Sequence, residues 1–122
     1  MTDLHRKSLF DAKARQEAAI DAMANGRFFD TAGDLMKVGN YRDALPLLLQ
    51  ARSLAQDRFP DWGSSPAIEV CVGECFEKLG QAEEARQAFN QALSIMEPFT
   101  PEKKNAFNHL IKRATDGLAR LK

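Results

Sequence analysis

Two cysteines and two histidines have the widest chemical range of any side chains in this sequence. Cys71 and Cys75 stand four residues apart, which puts both thiols on one face of a helix. His5 and His109 lie far from them along the chain. A zinc centre would need Cys-x2-Cys-type spacing and more ligands, so no metal or other cofactor is expected. Helical i,i+4 geometry sets two sulfurs poorly for a disulfide, and a helical chain of intracellular character keeps its thiols reduced. Buried packing is the expected role of both cysteines. His109 falls off the apolar stripe of its segment and reads as a surface histidine. No nucleophile–histidine pair, phosphate-binding glycine loop or carboxylate cluster occurs at a useful spacing, so no catalytic residue is assigned. Catalysis would require His109 and Cys75 to converge in one cleft.

Two other residues invite a binding role. Trp62, the only tryptophan, stands in the connection Phe59-Pro60-Asp61-Trp62-Gly63-Ser64-Ser65-Pro66. It either folds back over helix ends or serves as an aromatic anchor for a partner. Gly33 sits inside a helical segment, where glycine costs roughly 1 kcal/mol against alanine. Close approach of a neighbouring helix is the favoured explanation, and a groove where a ligand backbone runs is the other.

The elements that would position these residues come from an internal echo. Gly39-Asn40-Tyr41-Arg42-Asp43-Ala44 opens a segment that continues through Leu48 and Ala51. Gly80-Gln81-Ala82-Glu83-Glu84-Ala85 opens another that continues through Phe89 and Ala92, offset by 41 residues. In each, a glycine closes one helix by taking the left-handed conformation. Alanine, a large apolar residue and a second alanine at i, i+4 and i+7 then form one stripe of the next helix. Ala32, Leu35 and Val38 in the preceding helix match Gly73, Phe76 and Leu79. Each echo is thus the second helix of an antiparallel hairpin.

This arrangement resembles the tetratricopeptide repeat, in which two antiparallel helices recur every ~34 residues. The resemblance rests on Ala32, Leu35, Gly39, Tyr41, Ala44, Leu48 and Ala51, and again on Gly73, Phe76, Gly80, Ala85, Phe89 and Ala92. The longer period is more like the repeats of kinesin light chain, and Phe28 and Glu69 replace the tryptophan often found early in the first helix. The resemblance implies an all-α fold: helix hairpins stacked as a short right-handed superhelix of about six helices, forming a single domain. Residues 1–26 form an N-terminal capping helix (its body at 3–24) and 27–58 the first repeat. Residues 59–65 are the connection, 66–98 the second repeat and 99–122 a C-terminal capping helix. Within the repeats, helices are expected at 27–38, 41–57, 66–79 and 81–97. Asn40 is expected to cap the second of these, and Pro46 to bend it slightly. Ser65-Pro66 and Thr100-Pro101 read as helix starts, a capping hydroxyl followed by proline at the first helical position.

The last helix carries a clean apolar stripe from Ala106 and Phe107 through Leu110, Ile111, Ala114, Leu118 and Leu121. Lys103, Lys104, Lys112, Arg113, Arg120 and Lys122 are expected to form its solvated basic face. A formal net charge of zero over 122 residues gives no global field toward nucleic acid or an anionic membrane. No run of about 18 apolar residues is present, so no membrane span is expected. The N-terminus lacks the apolar core of a signal peptide, and the cytoplasm is the expected location.

In the family, the first helices of stacked hairpins line a concave groove. The resemblance maps that groove onto Phe29, Gly33, Met36 and Lys37, and onto Val70, Glu74, Glu77 and Lys78. This mixed apolar and acidic lining would suit an amphipathic helix or an extended peptide of basic character. Some family members grip chaperone C-termini with lysines and asparagines; Phe29, Gly33, Glu74 and Glu77 stand at the corresponding sites here, so that activity is not implied. The reading is a non-catalytic protein-interaction module, an adaptor or partner-specific chaperone, similar in size and plan to the helical-repeat chaperones of bacterial secretion systems. The alternative is a self-associating assembly subunit, a homodimer through its terminal helices.

Overall fold

The computed structural model describes residues 26–58 and 65–122, and among these it is all-helical, with no strand. Helix α1 ends at residue 37 and is described from residue 26. It is followed by α2 (Tyr41–Arg58), α3 (Pro66–Lys78), α4 (Ala82–Met96), α5 (Pro101–Ala106) and α6 (Asn108–Arg120). The expected N-terminal helix at 3–24 and Trp62 lie outside the described residues.

Both glycines of the echo do the same work. Gly39 and Gly80 have φ of 79° and 80°, a region open to glycine at little steric cost. At the first, the Asn40 N–H donates to the Leu35 carbonyl at 2.8 Å and the Gly39 N–H to the Met36 carbonyl at 3.0 Å. At the second, Gln81 N–H donates to Phe76 at 2.8 Å and Gly80 N–H to Glu77 at 3.1 Å. These are matching paired closures of a helix end, each satisfying two carbonyls that the helix leaves without partners. The chain then reverses and the next helix starts at once. Asn40 Oδ1 accepts the Asp43 N–H at 3.3 Å, while its amide donates to Asp43 Oδ2 at 2.8 Å. Val38, the match of Leu79 in the echo, sits in this turn, past the end of α1, and is 79% exposed.

The alanine-gated stripes lie at the centre of the molecule. Ala44, Leu48 and Ala51 on α2 and Ala85, Phe89 and Ala92 on α4 are all fully buried. They belong to two apolar clusters. One joins α1, α2, α3 and Ala88 of α4 around Leu48, Val72 and Cys75; the other joins α3, α4 and α6 around Val70, Phe89, Met96 and Leu110. The half-buried Phe76 packs against both. α3 is therefore the shared wall of a repeat-like stack.

Phe89 explains two glycines at once. A Cβ on Gly73 of α3 would come within 2.7 Å of its ring, and a Cβ on Gly117 of α6 within 2.5 Å. The ring is clamped between two helices that only the absence of side chains lets approach, as close-packed interiors demand.

The C-terminal segment differs from the single helix expected. It breaks at Phe107, whose N–H is shared between the Lys103 and Lys104 carbonyls while its ring packs edge-on against Phe99 at 5.3 Å. α5 buries no residue, and Ala106 is exposed. The break lets α6 turn Leu110, Ala114 and Gly117 inward. At the two proline starts, Thr100 accepts the Lys103 N–H at 3.3 Å, whereas the Ser65 hydroxyl makes no capping bond. Pro66 and an extended Ser65 backbone suffice to begin α3. No helix among the described residues is long and apolar enough to cross a membrane.

Candidate functional site

A hollow of about 450 Å³ opens between α1, α3 and α6. α1 contributes Phe29, Gly33, Met36 and Lys37, spaced so that one helical face turns toward the hollow. Tyr41 adds its ring from the start of α2. From α3 come Cys71, Glu74, Glu77 and Lys78, and from α6 Arg113 and Arg120. Phe29, Met36 and Tyr41 are half-buried and rest on the first apolar cluster, so the floor is apolar and firm.

Val70 does not belong to this lining. It is fully buried in the second cluster with Ala85 and Phe89. α3 is wedged between α2 and α4, and a step of one residue, about 100° around the helix, separates the α4-facing Val70 from the open side. Cys71 takes its place on the hollow. Gly33 borders the hollow. Among the described residues, a Cβ there would meet no atom within 4 Å.

The expected acidic lining is neutralised. Arg113 holds Glu74 through Nε at 3.1 Å and through a second, short contact from Nη2 to Oε1. Arg120 holds Glu77 through Nε and Nη2, both at 2.8 Å. These are fork-to-carboxylate pairs, the strongest geometry an exposed ion pair adopts. Arg120 pulls the Glu77 carboxyl below its ordinary range through these hydrogen bonds, against a smaller opposing effect of burial. The guanidiniums of Arg113 and Arg120 are in turn raised by their bonds to Glu74 and Glu77. Two residues of the expected solvated basic face of α6 thus turn back onto α3. Their seven-residue spacing, one helical stripe, was legible in the sequence; the helix that this stripe meets was not.

The result is a rim with four cations, Lys37, Lys78, Arg113 and Arg120, against two carboxylates that are already engaged. Lys37 and Lys78 are exposed and, among the described residues, have no carboxylate within ion-pair distance. The acidic side chains that pointed to a basic ligand are thus balanced by guanidiniums within the protein.

Neither thiol is poised for chemistry. Burial pushes the Cys71 thiol up, although the Arg113 guanidinium, 3.8 Å from its sulfur, pulls the other way. Cys75 is fully buried and is pushed up to about 12. Both therefore remain thiols at neutral pH, and the thiolate is the nucleophile. His109 is exposed on α6 while Cys75 is sealed in the core, so the two do not share a cleft. No group of three or more His, Cys, Asp or Glu suited to a metal ion occurs among the described residues.

No family model matches the chain, and neither the curated proteins nor the solved structures contain a match to it.

Proposed function

We propose that the protein is a non-catalytic interaction module that holds a peptide or helix of a protein partner in the hollow between α1, α3 and α6. The observation that carries this reading is the convergence of side chains from three helices on one open space with an apolar floor and a cationic rim. Its volume, about 450 Å³, suits one or two anchoring side chains. Charge complementarity selects a segment with an apolar anchor flanked by aspartate or glutamate, because Lys37 and Lys78 are free to meet carboxylates while Glu74 and Glu77 are not. The tetratricopeptide resemblance supports the same role, since that family places ligands on this side of its stack. The helical-repeat plan is common to many activities, so the site and not the plan carries the function.

The test is an unbiased display selection of random peptides on the intact protein, counter-selected on a Gly33→Trp variant whose indole fills the hollow. Enrichment of acidic-apolar sequences that bind wild type and not the variant is expected. Peptides that bind both proteins equally would place recognition elsewhere. Failure to enrich any sequence, with dimers in sedimentation velocity that Gly33→Trp dissociates, would mean that another copy of the chain occupies the hollow.

A further inference from the structure

α3 has a second open face. Glu69 and Phe76, seven residues apart, share one side of the helix, opposite to Cys71, Glu74 and Lys78. They form the floor of a separate hollow of about 430 Å³ between α2 and α4. Arg52 and Gln56 border it from α2; Glu84, Gln87 and Gln91 border it from α4.

Glu69 is the unusual member. It is only 3% exposed, the one buried charged residue among those described. Its hydrogen bond is a single one, from Arg52 Nε to Oε2 at 2.9 Å. Among the described residues no donor reaches Oε1, although a buried carboxylate has room for several. Burial raises the affinity of Glu69 for a proton more than Arg52 lowers it. A half-satisfied buried carboxylate is costly, and such a group calls for a partner. Glu84 also lines the hollow, so its lining carries two carboxylates and one guanidinium, that of Arg52. The amides of Gln56, Gln87 and Gln91 are exposed and, among the described residues, make no side-chain hydrogen bonds. Their carbonyls are available to accept N–H donors.

We propose that this hollow is a binding site for an organic cation, a guanidinium seated between Glu69 at the floor and Glu84 at the rim. Among the described residues these two carboxylates have no third acidic, cysteine or histidine ligand to make a metal site. A planar cation with five N–H donors matches the open carboxylate oxygen and the glutamine carbonyls, and it stacks on the aromatic surface of Phe76. The guanidinium comes either as an arginine side chain of a partner protein or as a small alkylguanidine. This site is independent of the hollow between α1, α3 and α6.

Amide NMR spectra of the intact protein test it, with three probes. These are arginine blocked at both ends, its neutral citrulline counterpart and n-butylguanidine. Blocked arginine is expected to shift the side-chain amides of Gln56, Gln87 and Gln91 saturably, and at least about tenfold more tightly than blocked citrulline. Equal response to butylguanidine assigns the site to small guanidines; response to blocked arginine alone assigns it to a peptide-borne side chain. Glu84→Gln, an exposed substitution that leaves the fold intact, is expected to weaken the arginine response several-fold. Glu69→Gln, if it folds, abolishes it. The proposal is overturned if citrulline binds as well as arginine, if Glu84→Gln changes nothing, or if no saturable shift is seen at the three glutamines.

Discussion

Replacing Gly73 by alanine is the sharpest probe of the packing, because two effects of known size oppose each other at that position. Alanine gains roughly 1 kcal/mol over glycine inside a helix. The new methyl, however, would stand 2.7 Å from Cδ1 and Cε1 of Phe89 and 3.0 Å from Cζ. An exposed ring would swing aside at little cost. This ring is fully buried, and its far edge already lies where a Cβ on Gly117 would come within 2.5 Å, so retreat is closed on both sides. Overpacking of this kind costs about 1–3 kcal/mol, which cancels or exceeds the propensity gain. Gly33→Ala is the internal control: it has the same intrinsic gain and, among the described residues, nothing to strike. Gly33→Ala is expected to stabilise by about 1 kcal/mol and Gly73→Ala to destabilise by up to about 2 kcal/mol. Urea unfolding followed by far-UV circular dichroism measures both, with an unchanged denaturant slope as the check on two-state behaviour. Adding Phe89→Leu to Gly73→Ala should recover part of the loss, although Phe89→Leu alone destabilises. If Gly73→Ala proves at least as stable as wild type, the clamp on Phe89 is not tight and this account of both glycines fails.

Three further outcomes follow from the ion pairs and thiols. Arg52→Met leaves the Glu69 carboxylate buried without its partner and should cost on the order of 3 kcal/mol at neutral pH. That deficit shrinks as pH falls, because burial already raises the Glu69 pKa and the folded variant takes up a proton that removes the uncompensated charge. A deficit that stays constant from neutral to mildly acidic pH refutes this. Arg120→Gln should cost less than about 1 kcal/mol, as befits an exposed pair. Glu77 is held below the ordinary carboxylate value of 4.5, so the wild-type advantage is complete above that value and disappears as pH drops through the lowered one. Thermal melts of both proteins across that range check the sign. Cys75, buried and pushed up to about 12, should resist alkylation in the folded protein and react only as urea unfolds it. Fast labelling without denaturant, located by peptide mass mapping, would contradict its burial.

The helix ends and the apolar stripes were legible in the sequence because their causes are local. Gly39 and Gly80 announce themselves by the left-handed conformation that a helix closure needs. Ala44, Leu48 and Ala51, like Ala85, Phe89 and Ala92, follow the 3.6-residue period that sends them to one side. The tetratricopeptide resemblance, not the period alone, points to Phe29, Gly33, Met36 and Lys37, which all border the hollow from α1. Other features depend on what lies across the gap. Val70 and Cys71 are neighbours in sequence, and only the position of α4 decides that one enters the core and the other borders a hollow. Phe107 ends a helix because Phe99 is there to meet its ring and α6 must turn to cover α4. Glu74 and Glu77 spell acid in the sequence, yet Arg113 and Arg120, from a helix roughly forty residues on, reverse the charge balance of the site they line. Periodicity is a property of a single helix, whereas charge balance in a cleft belongs to the helices that form it together. For that reason the chain's own pattern defines its helices, and only their packing defines which ligand charge suits the space between them.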